Sequence, residues 1–546
     1  MKPITKKTVD KSLDKVEEMP KNLTSYLGQK GYTILKSELT IKQQTFIKEQ
    51  LTVKPYVPGS PVQLQKSFPA YRESDKKLYI PRYYGDEIFG PAAQYKLTEG
   101  ANIDLKFAGT LRPEQVPVVQ KYLDHVKGDN RQGDNRQGGG GLLELPCGFG
   151  KTSISLYIWS MLKEKGIVIV HKEFLMNQWI ERIQQFLPGA RIGKIQGQII
   201  DIDNKDIVLC MLQSLSMKDY PSSLFDSFGL TIIDEVHHIS SEVFSNALFK
   251  LVTKYTLGLS ATMNRSDGTT KVFKMFLGPV VYKQERSKDE KVIVRGITFQ
   301  TNDDEYNELL LDFRGKPASS KMLSKLCTYN RRTEFILTVL KDMIAENPKQ
   351  QIMIIASYKN ILKYIFDAIN HRNIATVGYY VGGMKEAALK LSESKQVVLA
   401  TFAMASEGLD IKSLSTLFMV TPMTKIEQSV GRILRQKHDF NPVVVDIIDT
   451  HANFQRQWSK RKAFFKTQNY KIIQTTSSAY DPDCSKWKVV NEPTNQAPLA
   501  KKTDVSVKSS DKLCHEASES SDDDDISEDD EEKETTVGKC LLKFKK

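Results

Sequence analysis

Short apolar runs alternate with amphipathic stretches over most of the chain, and this alternation indicates the fold. One series of runs lies between residues 142 and 262, and a second lies between 351 and 449. Runs that are apolar on both faces and separated by helices are typical of a parallel sheet covered on both sides. Two such series predict an α/β protein with two lobes. The runs read LLELP, GIVIVH, DIVLCML, LTIIDE and TLGLSAT, then QIMIIAS, ATVGYYVG, QVVLATF, STLFMV and PVVVDIID.

The chain before the first lobe has a mixed pattern that predicts a small α+β domain. Residues 37–51 have the spacing of a helix, and the aromatic, proline-punctuated residues 55–85 favour short antiparallel strands. Residues 111–126 predict a helix that Pro113 opens. The repeated GDNRQ and four glycines of residues 128–141 then predict a flexible surface loop.

Composition changes sharply near the end of the chain. Beyond about residue 476 the sequence is polar and of low complexity, which predicts a disordered acidic tail. The predicted boundaries are therefore 1–103 for an accessory domain, 104–290 and 291–475 for the two lobes, and 476–546 for the tail. No apolar run is long enough to span a membrane and no signal peptide is recognisable, which predicts an intracellular protein without a membrane partner. Six dispersed cysteines fit a reducing compartment.

The net charge of +12 understates how basic the rest of the protein is. Residues 516–534 hold twelve carboxylates and one lysine, a charge of −11, so the remainder carries +23. This balance suggests a polyanionic partner, and nucleic acid is the first candidate. The acidic segment itself is open to three interpretations: a solvated spacer, an internal competitor for the basic surface, or a partner-binding segment.

A glycine-rich loop opens the first lobe, directly after a predicted strand and before a predicted helix. Glycines let backbone N–H groups point inward around phosphates, and the helix N-terminus adds its dipole. Lys151 would reach the β- and γ-phosphates of ATP, and the Thr152 hydroxyl would bind Mg²⁺. The strict phosphate-loop pattern requires glycine where Leu145 stands. The candidate nucleotide-binding residues are Leu145, Pro146, Cys147, Gly148, Phe149, Gly150, Lys151 and Thr152.

Two acidic residues follow the strand LTII, at the expected carboxyl end of a neighbouring strand. Asp234 would hold Mg²⁺, and Glu235 would orient and deprotonate the attacking water. His237 and His238 follow, but no third metal ligand stands at helical spacing, so a separate metal site is the weaker interpretation.

The second lobe carries KIEQSVGRILRQ at residues 425–436. Gln428, Arg432 and Arg435 recur three and four residues apart, which predicts that they share one helix face. They form either a solvated basic face or arginine fingers that act on the γ-phosphate across a cleft between the lobes. The glycine-rich loop in the first lobe favours the second interpretation.

These segments, in this order over residues 110–470, resemble the motifs of superfamily 2 helicases of the DEAH/DExH type. The form of GLSATMNRSDG and SEGLDI is similar to the UvsW and XPB-type DNA translocases, although Met263 and Lys412 replace the usual prolines. CGFGKT, LYIPRYYG and QWSKRKAFFKTQNY resemble the transcript-release helicase of poxviruses and its relatives in other large DNA viruses. The resemblance implies two tandem RecA-like lobes, ATP and Mg²⁺ as cofactors, and Gln115 as the adenine contact.

The resemblance also implies roles for residues that have no distinctive chemistry alone. Backbone contacts to nucleic acid would come from His171, Lys172, Gln213 and Ser214 in the first lobe and from Ser357, Tyr358, Thr401 and Glu407 in the second. Coupling of hydrolysis to movement would involve Ser260, Ala261, Thr262, Gly408 and Asp410.

Three functions are consistent with the sequence. The favoured one is a monomeric ATP-dependent DNA helicase or translocase that serves viral transcription, with the transcription machinery as a partner and the host cytoplasm as its location. The second is an RNA helicase that acts on viral transcripts. The third is a nucleotide-gated clamp or scaffold, which has no need of Lys151, Glu235 and Arg435.

Overall fold

The structure is a computed structural model of the 546-residue chain, which divides into two compact units, Met1–Arg286 and Ser287–Lys546. Among the residues it describes, no helix is long and apolar enough to cross a bilayer. The structure describes residues 19–20, 23–56, 66–127, 138–238, 241–263, 267–285, 291–407 and 411–494.

The first unit begins with a small α+β region built on a five-stranded sheet. Its strand order is β5-β6-β2-β1-β7, antiparallel except for the β1–β7 pair. Helix α1 begins after a capping box formed by Thr40 and Gln43, which satisfies backbone N–H groups at the helix start. The elements are β1 (Ser25–Gly28), β2 (Gly31–Leu35), α1 (Ile41–Gln50), β3 (Thr52–Val53), β4 (Phe68–Pro69), β5 (Arg72–Glu73), β6 (Lys77–Ile80), α2 (Arg82–Phe89) and β7 (Gln94–Tyr95).

The helix predicted over residues 37–51 and the short antiparallel strands predicted within 55–85 are confirmed where the structure describes them. The end of that stretch differs, because residues 82–85 begin α2 instead of a strand. Pro81 stands at the N-cap of α2, where a missing N–H group costs no helical hydrogen bond.

An eight-stranded sheet forms the rest of the first unit, in the order β11-β10-β12-β9-β13-β14-β8-β15. All its pairs are parallel except β10–β11. Every residue of β9 and β13 is buried, as the sequence pattern predicts for strands covered on both faces. The elements are α3 (Val116–Lys127), β8 (Gly139–Glu144), α4 (Lys151–Leu162), β9 (Gly166–Val170), α5 (Glu173–Phe186), β10 (Ile192–Gln196), β11 (Ile199–Asp201), β12 (Ile207–Met211), α6 (Leu212–Met217), β13 (Leu230–Ile233), α7 (Ser241–Leu248), β14 (Tyr255–Ser260), α8 (Thr270–Leu277) and β15 (Val280–Lys283).

The glycines at the start of β8 are structural, and their assignment to a flexible loop is wrong. Gly140 and Gly141 lie in β8 and pair with residues of β14. Strand β15 lies on the other side of β8. A Cβ atom on Gly140 would lie 1.8 Å from Thr256 Oγ1, and one on Gly141 would lie 2.2 Å from Val281 Cγ2. These positions therefore exclude any side chain. The repeat at residues 128–137 lies outside the described residues.

The small N-terminal region and the first large sheet share one hydrophobic core. Leu27, Ile34 and Ile80 from the five-stranded sheet belong to the same buried cluster as Phe249 and Phe276, which lie around the first large sheet. The Arg82 guanidinium reinforces this junction, because its Nη1 donates to the carbonyl oxygen of Lys254 at 3.1 Å. The first compact unit thus joins the predicted accessory domain to the predicted first lobe.

The second unit contains an eight-stranded sheet in the order β18-β19-β17-β20-β21-β16-β22-β23, parallel except for β22–β23. The predicted α/β fold with two parallel-dominated sheets is therefore confirmed. The elements are β16 (Ile293–Phe299), α9 (Asp304–Asn307), α10 (Ser319–Thr328), α11 (Asn330–Glu346), β17 (Gln351–Ala356), α12 (Lys359–His371), β18 (Val377–Tyr380), α13 (Glu386–Glu393), β19 (Val397–Thr401), α14 (Phe402–Glu407), β20 (Leu414–Met419), α15 (Glu427–Arg432), β21 (Val443–Asp449), α16 (Ala452–Thr467), β22 (Lys471–Thr476) and β23 (Lys488–Asn491).

The structure corrects the predicted start of the disordered tail at residue 476. Residues 477–494 continue the second unit, with β23 paired to β22 at the sheet edge. Trp487 is buried against the core, and its Nε1 donates to the carbonyl oxygen of Asp481 at 2.8 Å. Tyr480 also packs against this core, and its hydroxyl donates to Asp342 Oδ2 at 3.1 Å, so several contacts hold a stretch whose composition resembles a tail. The acidic residues 516–534 lie outside the described residues.

Candidate functional site

The glycine-rich loop connects the carboxyl end of β8 to the N-terminus of α4. Gly148 and Gly150 adopt φ angles of 81° and 87°, in the left-handed region that favours glycine. Gly150 also stands at the N-cap of α4, and a Cβ atom there would lie 2.3 Å from Gln115 Nε2. The loop therefore requires glycine at this position for conformation and for space.

Two side chains from the segment before α3 hold the loop from outside. Gln115 is buried, and its Nε2 donates to the carbonyl oxygen of Phe149 at 2.8 Å. Arg112 Nη2 donates to the carbonyl oxygens of Gly148 and Phe149 at 3.2 and 2.5 Å. Arg112 was not among the predicted site residues. Arg112 stands three residues before Gln115. Its backbone N–H donates to Gln115 Oε1, so the two residues are held together.

Lys151 and Glu235 form an ion pair at the centre of the candidate site. The distance from Lys151 Nζ to Glu235 Oε1 is 2.6 Å, and the two side chains are 12% and 17% exposed. The acidic pair follows β13, which was predicted to be the neighbour of β8. Strand β14 lies between them, so β13 is two strands away from β8. Burial lowers the pKa of Lys151, but the carboxylates of Glu235 and Asp234 outweigh it and the pKa is raised. Lys151 therefore remains a cation.

Asp234 is held by two hydrogen bonds at the end of β13. Its Oδ2 accepts from Trp179 Nε1 on α5 at 2.9 Å, and its Oδ1 accepts from the Glu235 backbone N–H at 2.9 Å. Burial and the neighbouring Glu235 charge raise the pKa of Asp234, while Lys151 and Trp179 oppose the rise. Trp179 is a second site residue that was not predicted, although it lies only seven residues after Lys172.

Glu235 adopts a backbone conformation that is uncommon for a side chain with a Cβ atom. Its φ angle is 48°, which costs on the order of 1–3 kcal/mol, and backbone strain of this kind clusters at active sites. Its Oε2 lies 3.4 Å from His237 Nδ1, and that nitrogen lies 2.8 Å from Ser260 Oγ at the end of β14. This chain of contacts links Glu235 to the predicted coupling segment.

The other predicted residues of the first unit lie after the carboxyl ends of the parallel strands. His171 and Lys172 follow β9, and Lys172 is the N-cap of α5. Gln213 and Ser214 lie in α6 after β12, and Gln213 Nε2 donates to the His171 carbonyl oxygen at 3.1 Å. Ser260 is buried at the end of β14, and Ala261 and Thr262 follow with intermediate exposure.

In the second unit, the predicted nucleic-acid contacts also lie after the carboxyl ends of the parallel strands. Ser357 follows β17, and its backbone N–H donates to Thr421 Oγ1 at 2.9 Å. Tyr358 is the N-cap of α12, and Thr401 ends β19. Glu407 ends α14. Gly408 and Asp410 lie outside the described residues.

The prediction that Gln428, Arg432 and Arg435 share one helix face is wrong. Helix α15 ends at Arg432, because Ile433 leaves the helical conformation, and Arg435 lies in the turn beyond it. Arg432 is only 5% exposed, and its Nε donates to the carbonyl oxygen of Ala405 at 2.9 Å. A six-residue helix cannot carry positions seven residues apart.

The chemistry of the predicted Mg²⁺ ligands fits that ion. Mg²⁺ prefers oxygen ligands and keeps several waters, and Thr152 and Asp234 offer a hydroxyl and a carboxylate. Each Asp234 oxygen accepts one hydrogen bond, which leaves lone pairs on both oxygens. Among the residues with described positions, no cluster of three or more His, Cys, Asp or Glu side chains suits a metal ion. Oxygen coordination completed by phosphate and water is therefore the arrangement that these residues support.

A glycine-rich loop after one parallel strand and an Asp-Glu pair after another are the parts of the nucleotide site in phosphate-loop ATPases. Residues 108–265 match the family model "Type III restriction enzyme, res subunit". The matched range contains the loop, the acidic pair and the Ser260–Thr262 segment.

Relatives that match 66–83% of the chain show to which group of ATPases it belongs. The "Putative ATP-dependent RNA helicase L396" of Acanthamoeba polyphaga mimivirus is 34% identical, covering 83% of this chain and 87% of that protein. The "Putative ATP-dependent RNA helicase QP509L" of African swine fever virus (isolate Pig/Kenya/KEN-50/1950) is 26% identical, covering 66% and 75%. The "Putative helicase 161L" of Invertebrate iridescent virus 6 is 26% identical, covering 68% and 85%. The chain belongs to this family of ATP-dependent helicases of large DNA viruses, and the predicted relation to viral helicases is confirmed.

Proposed function

We propose that this helicase hydrolyses ATP at the Lys151–Glu235 pair and uses the energy to move along nucleic acid or to unwind it. The observation that carries the proposal is the 2.6 Å contact between the loop lysine and the strained Glu235. Without nucleotide, each charge neutralises the other. The triphosphate would compete for Lys151 and release the Glu235 carboxylate to orient and deprotonate the attacking water.

The remaining residues would prepare this site. Mg²⁺, held through Thr152 and Asp234, would neutralise charge on the phosphates. Trp179 fixes the orientation of the Asp234 carboxylate by its 2.9 Å hydrogen bond. Gln115 would contact adenine while its Nε2 supports the loop. In the second unit, Arg435 is the better candidate for the γ-phosphate, because Arg432 is buried against α14.

The form of the motifs favours DNA as the substrate, and RNA is the second candidate. The mimivirus and African swine fever virus relatives carry "RNA helicase" in their names, which supports the alternative. Candidate contacts at both sheet edges lie at strand ends, and contacts to the nucleic-acid backbone would permit movement without sequence preference. Service in viral transcription, with the transcription machinery as a partner, is the wider role that we infer.

The deciding experiment compares ATP turnover by the full chain with single-stranded DNA, duplex DNA and RNA of equal length. We expect DNA to stimulate turnover most strongly. Stimulation by RNA alone would replace the DNA preference with the RNA-helicase alternative. A Glu235→Gln variant should still bind ATP and nucleic acid while it hydrolyses little. If its nucleotide affinity falls together with turnover, Glu235 has a structural role and the proposed chemistry is wrong.

A further inference from the structure

The segment 308–318 of the second unit, between α9 and α10, exposes an unusual amount of apolar surface. The side chains of Leu309, Leu311 and Phe313 alternate along it and are 52%, 48% and 89% exposed. Burial of a phenylalanine side chain stabilises a fold, so a phenylalanine this exposed forgoes most of that stabilisation. Adjacent exposed apolar side chains of this kind mark interaction sites. We call residues 308–318 the Phe313 loop.

The tip of the Phe313 loop has a defined conformation. The Asp312 carboxylate accepts hydrogen bonds from the backbone N–H groups of Arg314 and Lys316 at 2.8 and 3.0 Å. The Asp312 N–H donates to the Lys316 carbonyl oxygen at 2.7 Å, and Gly315 supplies the left-handed φ of 73° that the turn needs. Hydrogen bonding lowers the pKa of Asp312, so the carboxylate that organises the turn stays ionised. Phe313 is therefore presented by a built turn.

The base of the Phe313 loop is fixed to the second unit. Leu311 and Pro317 form an isolated antiparallel bridge, and the Ala318 N–H donates to the Leu310 carbonyl oxygen at 2.8 Å. The Leu310 side chain faces inward and packs against the hydrophobic core. Inward Leu310 and outward Phe313 are thus held in a fixed relation, as in a short strand.

The chemistry of the tip fits a base and its phosphates. The Arg314 guanidinium lies 4.9 Å from the Phe313 ring centroid, and Lys316 is exposed nearby. Asp312 in the turn accepts hydrogen bonds from two backbone N–H groups and also lies within electrostatic reach of both cations. Proteins that bind single-stranded nucleic acid combine aromatic rings that stack on bases with cations that follow the backbone. An aromatic ring flanked by two cations matches this combination better than it matches an apolar protein surface.

We propose that the Phe313 loop binds single-stranded nucleic acid, with an unpaired base stacked on Phe313 and neighbouring phosphates held by Arg314 and Lys316. This inference rests on the proposed function, because it names a contact with the substrate of the same helicase. It adds a base contact to the strand-end residues, which would touch the nucleic-acid backbone.

A fluorescent reporter tests the contact directly in the full chain without ATP. The four native tryptophans, Trp159, Trp179, Trp458 and Trp487, are all buried, so a Phe313→Trp variant adds an exposed one. Its matched control is Leu391→Trp on α13, where the native side chain is 64% exposed in the same unit. We expect a single-stranded 15-mer to quench Phe313→Trp strongly, a duplex of equal length to quench it less, and neither to quench Leu391→Trp. Equal quenching of the two variants, or none, would overturn the proposal.

Affinity provides the second measurement. Phe313→Ala should weaken binding of the single-stranded 15-mer about tenfold, the loss of one base–aromatic stack. Phe313→Tyr should restore it, and Leu391→Ala should leave it unchanged. Unaltered affinity in Phe313→Ala contradicts the proposal, as does a change in self-association measured by sedimentation with no change in binding. Because neither measurement needs turnover, ATPase without nucleic-acid stimulation would refute the proposed function and leave the loop contact standing.

Discussion

The two large sheets both carry carboxylate–cation pairs near the carboxyl ends of their strands, but the pairs are built differently. In the first unit, Lys151 and Glu235 are partly exposed and Glu235 is strained. In the second unit, Asp449 at the end of β21 lies against Arg332 with both side chains 0% exposed, and two bonds of 2.7 and 2.8 Å join them. A ligand can compete for the partly exposed Lys151–Glu235 pair, which suits a catalytic role. No ligand can reach the buried Arg332–Asp449 pair, which therefore serves only to stabilise the fold.

The second sheet repeats the sealed arrangement three residues earlier along β21. Asp446 accepts from Arg461 Nε and Nη2 at 2.7 and 2.9 Å, and Arg461 Nη1 also donates to the Met423 carbonyl oxygen at 2.6 Å. Burial raises the pKa of Asp446, and Arg461 opposes the rise. Removal of one partner from such a pair leaves an uncompensated buried charge, which is more costly than loss of an exposed pair.

The largest effect is expected at the pair in the first unit. Lys151→Ala should lower ATP turnover on the order of 10³-fold or more, because it removes the cation aimed at the developing phosphate charge. ATPase assays with nucleic acid present measure the loss. Lys341→Ala, at an exposed position on α11, is the control and should keep full turnover. Substantial stimulated hydrolysis by a folded Lys151→Ala protein would show that the nucleotide site is elsewhere.

The sealed pair should show the opposite profile, a large loss of stability. Arg332→Ala should destabilise the second unit by about 3–5 kcal/mol, since Asp449 is left buried without its cation. Arg372→Ala is the matched control, because Arg372 and Glu334 form an equally short two-bond pair that is 45% and 41% exposed. That change should cost much less, because solvent screens an exposed ion pair. Similar shifts in the melting temperature for both variants would contradict the distinction drawn between buried and exposed pairs.

A smaller effect is expected outside the ion pair, at the side chain that holds the phosphate loop. Arg112→Ala should raise the KM for ATP about fivefold with little change in kcat, because hydrogen bonds from a half-exposed charged group are worth about 1 kcal/mol. Steady-state kinetics at varied ATP measure the split. A selective fall in kcat would mean that Arg112 acts on the chemical step, and unchanged kinetics would mean that Gln115 holds the loop alone.

The smallest effect is expected for the Arg191–Asp206 ion pair, which lies at the amino ends of the strands of the first sheet, just before β12. Hydrogen bonds from Arg191 lower the pKa of Asp206, so this carboxylate stabilises the fold above its unfolded pKa near 3.9 and the contribution is lost as pH falls through the folded value. Asp206→Asn should therefore melt lower than the native chain at pH 7, and the difference should shrink as pH approaches 3. Melting curves across this range check the sign, and a difference that grows towards low pH would contradict it.

The sequence determined the elements whose cause is local. All ten apolar runs became strands, because residues apolar on both faces are stable only between two layers of helices. The glycine-rich loop and the Asp-Glu pair could also be predicted, because each is a short motif whose residue types are required by its chemistry. Composition misassigned two segments, and each error has a packing reason. Gly140 and Gly141 lie in β8 where neighbouring atoms leave no room for a Cβ atom, and residues 477–494 pair with the sheet edge and bury Trp487.

Only the tertiary structure decided which side chains meet. Lys151 and Glu235 are 84 residues apart in sequence, and Trp179 meets Asp234 across 55, distances over which local periodicity carries no information. Whether a carboxylate is strained and accessible like Glu235 or sealed like Asp449 depends on the strands and helices packed around it. The sequence thus specified a helicase with its chemical groups, while the packing of distant segments decided which charges can react and which only stabilise the fold.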